Sequence, residues 1–221
     1  SGNSYFTGWF TGTTVLGSTI LTSSGKSDIF IAKFNSNSAL QWVVTAGGDG
    51  IDESNSIALH HSSNQIYITG SFRGTADFGT TTLNSGGTNI QSIFVAKLSS
   101  SGSWQWAKSA GSSYADQGLD IVVDSSGYAY VTGTFQSPAA SSATFGSHSI
   151  TSAGANDVFV AKISPGGSWG CAARAGSSSW DSAGGIALDS NGAIFVSGGF
   201  KGTATFGGNS INLTSSGGSD I

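Results

Sequence analysis

The chain repeats itself. IFIAK at Ile29–Lys33, IFVAK at Ile93–Lys97 and VFVAK at Val158–Lys162 recur at steps of 64 and 65 residues. A period of that length implies an array of similar supersecondary units. The same segments follow one another in each period. An aromatic and β-branched run closed by Gly reads as a strand: Tyr5–Phe10, then the runs ending at Phe72, Phe135 and Phe200. A hairpin-like segment comes next, with an apolar residue (Leu16, Phe78, Phe145, Phe206) followed directly by Gly17, Gly79, Gly146 or Gly207. Gly in that place predicts a turn with positive φ.

The third element is the VFVAK strand. Alternation puts Phe30, Ala32 and Phe34 on one face and Ile29, Ile31 and Lys33 on the other, so both faces are mostly apolar and the strand is expected between neighbouring sheets. A Trp-bearing strand follows, in which Leu40, Trp104 and Trp169 share one register position and Trp42, Trp106 and Cys171 another. The last element is a short apolar run (IAL, IVV, IAL). It leads into the turns Asp124-Ser125-Ser126-Gly127 and Asp189-Ser190-Asn191-Gly192, which predict Asx capping and a φ-positive Gly.

Four meandering antiparallel strands per unit, plus a short extra hairpin, predict an all-β fold of the β-propeller type, with about three and a half repeats present. The sequence divides into a partial repeat at 1–37, repeats at 38–101 and 102–166, and an incomplete repeat at 167–221. The IAL-type runs are expected innermost, where Ala58 and Ala187 suit a crowded axis. A right-handed β-helix is the competing architecture, but its coils are usually about 20–30 residues.

The motifs at Asp157–Ile163, Gly167–Trp169, Asp116, Ile121–Asp124 with Gly127, and Tyr130–Gly133 resemble the bacterial SBBP-type β-propeller repeat. The resemblance covers nearly the whole chain. His60-His61 in place of the turn Asp, Ser92, and Cys171 in place of a Trp depart from it. It implies a secreted or surface-exposed bacterial protein, and it supplies no catalytic residues.

Composition narrows the partners. Only 9% of residues are charged, against about 25% in an average soluble domain. A surface so rich in Ser and Thr and poor in Lys leads us to expect an extracellular or cell-surface location. The eight Lys and Arg are scattered, which argues against nucleic acid. No apolar run approaches the roughly 18–20 residues of a membrane span. One cysteine excludes an internal disulfide, and no cofactor is called for. The chain enters at one strand of a repeat and stops as a VFVAK strand should begin. Three arrangements then stay open: part of a larger propeller, a fragment, or a homo-oligomer in which chains complete each other's blades.

Candidate residues follow from the same comparison. Asp52, Asp116 and Asp181 recur before the inner run, and Asp28, Asp157 and Asp220 near the VFVAK strand. Recurrence in each repeat points to capping of turn amides rather than to acid–base catalysis or calcium. His60 stands where other repeats have Asp. Adjacent strand residues point to opposite faces, so His60 and His61 do not readily share a metal. Cys171 is expected as a buried apolar substitute. The repeating Trp42, Trp104, Trp106 and Trp169 suit packing between units. Trp9 and Trp180 do not repeat, and they carry the ligand-binding expectation together with His60. The functional reading is a non-enzymatic scaffold or binding module with a protein or glycan partner. A carbohydrate-binding lectin and an enzyme with its site on the propeller axis are the alternatives.

Overall fold

The computed structural model describes residues 2–136, 138, 141–206 and 211–221. Among them the fold is all-β, and no sheet closes into a barrel. The first sheet is built from β1 (Ser4–Phe10), an inserted hairpin of β2 (Thr13–Leu16) and β3 (Thr19–Thr22), then β4 (Asp28–Phe34) and β5 (Leu40–Ala46). The second runs β6 (Glu53–His60), β7 (Gln65–Arg73), hairpin β8 (Thr75–Phe78) and β9 (Thr81–Asn84), β10 (Gln91–Leu98) and β11 (Trp104–Ala110). The third repeats this order with β12 (Asp116–Val123), β13 (Ala129–Gln136), hairpin β14 (Ser142–Phe145) and β15 (His148–Thr151), β16 (Asn156–Ile163) and β17 (Trp169–Gly176). The last unit consists of β18 (Ser182–Leu188), β19 (Ile194–Gly199) and hairpin β20 (Thr203–Phe206) and β21 (Ile211–Thr214).

Every pairing within these sheets is antiparallel. The two complete meanders are β6-β7-β10-β11 and β12-β13-β16-β17, four strands each as the repeat predicts; the latter sheet continues into β20 and β21, because β20 pairs with the end of β17 at Ala175–Phe206 and Gly176–Thr205. Each takes its outer strand from the segment that the sequence division assigns to the following repeat, so the structural unit is offset in phase from that division.

Register bears out the sequence comparison. Lys33, Lys97 and Lys162 pair with Trp42, Trp106 and Cys171, while Phe34, Leu98 and Ile163 pair with Leu40, Trp104 and Trp169. The glycine after the apolar residue of each hairpin has positive φ: 62° at Gly17, 65° at Gly79 and 61° at Gly146. Glycine at the first of two central residues matches the type II′ turn, whose twist suits flanking strands. Gly207, expected to do the same, lies outside the described residues.

Neighbouring sheets pack closest through their first strands, β6 against β1 and β12, and β12 against β18. Of these strands β6, β12 and β18 bulge at the same place when each pairs with its neighbour, between Ser54 and Ser56, Gly118 and Asp120, and Ala183 and Gly185. A bulge increases local twist. Two apolar clusters fill the spaces between sheets. One gathers Ile29, Ile31, Ile66, Phe72, Phe78 and Phe94, the other Tyr67, Ile93, Val131, Phe135, Phe145 and Phe159. The inserted hairpins reach back to the preceding sheet. Gly47 and Asp77 exchange backbone hydrogen bonds of 3.2 and 2.9 Å, and Gly111 and Thr144 bonds of 3.0 and 2.8 Å.

Candidate binding residues and the carboxylate turns

Two aspartates brace each junction between sheets. Asp52 accepts from Gly48 N at 2.7 Å and Arg73 N at 3.2 Å. Asp181 accepts from Ser177 N at 2.6 Å and Lys201 N at 3.0 Å. Asp116 accepts from the backbone N of Ser112, from Ser112 Oγ at 3.1 Å and from Gln136 N at 3.1 Å. One carboxylate thereby ties the loop that leaves one sheet to the end of the second strand of the next. The other series caps the turn before the third strand. Asp28 accepts from Ser24 N at 2.9 Å, Asp157 from Ala153 N at 2.7 Å and Asp220 from Ser216 N at 2.7 Å. These are the turn amides the sequence assigned to them. Burial is the main influence on Asp52 and Asp116, raising the first to about 6 and the second to about 7.

The expected Asx turns also form. Asp124 Oδ1 accepts from Ser126 N and Tyr128 N, both at 2.9 Å, and Asp189 Oδ1 from Asn191 N at 2.9 Å and Ala193 N at 2.7 Å. His60, which replaces Asp here, serves the junction instead. Its Nε2 donates to Ser125 O of the next sheet's turn at 3.1 Å, and its Nδ1 accepts from Ser63 Oγ at 2.7 Å. His61 is exposed.

The repeating tryptophans also join units. Trp42 Nε1 donates to Ser100 O at 3.3 Å and Trp106 Nε1 to Pro165 O at 3.0 Å. Their rings lie against Gly102 and Gly167 in the following unit's turns. Cys171 holds the same register position but is exposed, against the expectation of burial. The reason is geometric: that position is covered only by the turn of a following unit, and nothing in the described chain lies across Cys171.

Trp9 and Trp180 are 51% and 63% exposed. Trp9 belongs to β1 in the first sheet, and Trp180 to the loop between β17 and β18, where it bridges Asn156. Among the described residues no ring contact joins them or ties either to His60. The three residues therefore form no site by direct ring contact among the described residues.

Two features escaped sequence reasoning. Asp120 sits at the bulge of β12 and links three sheets, because Ser56 Oγ donates to its Oδ1 at 2.7 Å and Ile186 N to its Oδ2 at 2.9 Å. Its counterparts in register are Ser56 and Gly185, so repetition gave no signal. The second is an apolar recess of about 440 Å³ beside β19, lined by Val158, Val196, Phe200, Phe206 and Leu213. The sequence signal is the apolar run Ile194–Val196 of β19.

Among the described residues no three His, Cys, Asp or Glu side chains are grouped to hold a metal ion, and no helix is long and apolar enough to cross a membrane. The chain matches no family model and no curated protein sequence.

Proposed function

We propose that the units fan around an axis as the blades of a propeller, and that the array is a non-enzymatic scaffold or binding module of an extracellular or cell-surface protein. The observation that carries the reading is the unequal packing along each sheet. First strands pack directly on one another and are tied by Asp120, while β5 and β11 reach the next unit through tryptophans laid on single turns and through the backbone bonds of Gly47 with Asp77 and Gly111 with Thr144 at their ends. Sheets that converge at one end and diverge at the other form a fan. The resemblance to SBBP-type repeats and the Ser/Thr-rich surface support the location. The carboxylates that recur in each unit are engaged by turn amides, which supports a structural rather than a catalytic use.

The exposure of Trp9 and Trp180 favours a second reading, a lectin that stacks a sugar ring on one of these indoles. A glycan microarray probed with labelled protein separates the two. The scaffold reading predicts no signal that Trp9→Ala or Trp180→Ala removes. A glycan signal abolished by Trp180→Ala, with thermal unfolding unchanged, would replace it with the lectin reading.

A further inference from the structure

The three junctions between sheets share one plan and differ in how they treat a second carboxylate. Opposite Phe10, Phe72 and Phe135 stand Asp28, Ser92 and Asp157. The carboxylates that brace the same three junctions are Asp52, Asp116 and Asp181, and all five aspartates are buried. The first and third junctions therefore bury two carboxylates each, and the second buries one. A buried charge is costly unless a counter-charge or donors offset it. In the third junction Arg174 does so: its Nη1 donates to Asp157 Oδ1 at 3.4 Å and to Gly176 O at 3.2 Å. Asp157 Oδ1 and Asp181 Oδ2 both face Gly176, where a Cβ would overlap the first oxygen and stand 3.0 Å from the second. In the second junction Ser92 removes the second charge altogether.

The first junction uses neither device. Thr45, opposite Phe30, holds the register position that Arg174 holds opposite Phe159. Asp28 Oδ2 accepts from Ser24 N, but Asp28 Oδ1 is buried with no hydrogen-bond partner. That oxygen faces Gly47, the counterpart of Gly176, where a Cβ would stand 2.7 Å from it. Burial comes first in raising Asp52, and the charge of Asp28 adds to it, so the two carboxylates sense each other. All of these groups belong to the first and second sheets, and the site is complete between them.

We propose that the first junction is a calcium site, in which the ion binds Asp28 Oδ1 and Gly47 O, the counterparts of the two oxygens that receive Arg174 Nη1, with the Asp52 carboxylate adding its charge. Calcium accepts carboxylate, carbonyl and water oxygens in flexible geometry, whereas magnesium demands a near-ideal octahedron and gives up its water reluctantly. Water completes the coordination shell. Gly47 O already accepts from Asp77 N at 2.9 Å, and a carbonyl has a second lone pair to offer. The ion thereby ties the start of β4 to the end of β5 and to the hairpin of the second sheet. A metal does in the first junction what a guanidinium does in the third. So few protein ligands place the affinity with that of extracellular calcium modules, about 10⁻⁴–10⁻³ M. The inference goes beyond the scaffold reading and does not depend on it.

The test follows the thermal midpoint of the full chain, stripped of metal with a chelator, as calcium chloride is added at constant ionic strength. The midpoint is expected to rise and level off, with half the effect at about 10⁻⁴–10⁻³ M calcium. Asp28→Asn, which keeps an acceptor for Ser24 N, should raise the calcium needed at least tenfold. Thr45→Arg should do the same, because its guanidinium takes the place of the ion, and Thr45 is exposed, so the change disturbs no core. Asp157→Asn should respond to calcium as the native chain does. A midpoint that moves no further with calcium than with sodium chloride of equal ionic strength overturns the proposal. So does an unchanged calcium requirement in Asp28→Asn, and if that variant fails to fold, Thr45→Arg decides by the same criterion. A requirement raised equally by Asp157→Asn would place the effect outside the first junction and overturns it too.

Discussion

Asp116 offers the sharpest energetic prediction. Its side chain is wholly buried, and three donors converge on it: Ser112 N, Ser112 Oγ and Gln136 N. Burial outweighs those donors and raises it to about 7 from 3.8. Because the folded value is raised, the folded chain holds a proton between about pH 4 and 7 that the unfolded chain releases. The associated stability is fully present below the unfolded value and is lost as pH rises through the folded one. Three pH units at about 1.4 kcal/mol each bound the effect at about 4 kcal/mol, and about 3 kcal/mol of it falls between pH 5 and 8.5. Asp116→Asn removes the titration and keeps the shape. Urea unfolding followed by tryptophan fluorescence should therefore show the native chain losing about 3 kcal/mol relative to Asp116→Asn from pH 5 to 8.5. Groups common to both proteins cancel in that difference. A gap that stays constant, or that moves in the native chain's favour with rising pH, would refute the burial argument.

Three further substitutions probe the junctions. Asp28 Oδ1 is buried without a hydrogen-bond partner, whereas the equivalent oxygen of Asp157 has Arg174 at 3.4 Å. Thr45→Arg, at the register position of Arg174, should therefore stabilise the chain by up to about 1 kcal/mol, read from the urea midpoint and weakened by salt. Asp120→Ala leaves Ile186 N and Ser56 Oγ without their acceptor and should cost about 2 kcal/mol, seen as a lower thermal midpoint and faster exchange at Ile186. Gly133→Ala puts a Cβ 1.9 Å from Gln117 O and 2.8 Å from the Phe159 ring. It should cost about 3 kcal/mol by overpacking, measured in urea.

The parts of the fold legible in the sequence are those set by local chemistry. Strand identity, the pairing of Lys97 with Trp106, the φ-positive glycines after Leu16, Phe78 and Phe145, and the Asx turns at Asp124 and Asp189 all depend on residues close in sequence or repeated in register. What was not legible depends on what one sheet meets in the next. Cys171 looked buried because its counterparts are large and apolar, yet its exposure is decided by a turn that would have to come from another unit. Asp120 occupies a position held by Ser and Gly elsewhere, so comparison of repeats passed over the one carboxylate that ties three sheets. Trp9 and Trp180 do not repeat, but sequence alone does not reveal their exposure of 51% and 63%.

The radial arrangement itself is tested most directly by two distances across the same pair of sheets. On a Cys171→Ser background, spin labels at His61 and Ser125 mark the turns after the first strands of the second and third sheets. Labels at Gln105 and Gly170 mark their outer strands, and all four positions are exposed. Dipolar electron resonance should give a clearly longer mean distance for the outer pair than for the inner pair, since blades diverge from an axis. Equal inner and outer distances would mean that the sheets stack in parallel, as in a solenoid, and would contradict the propeller.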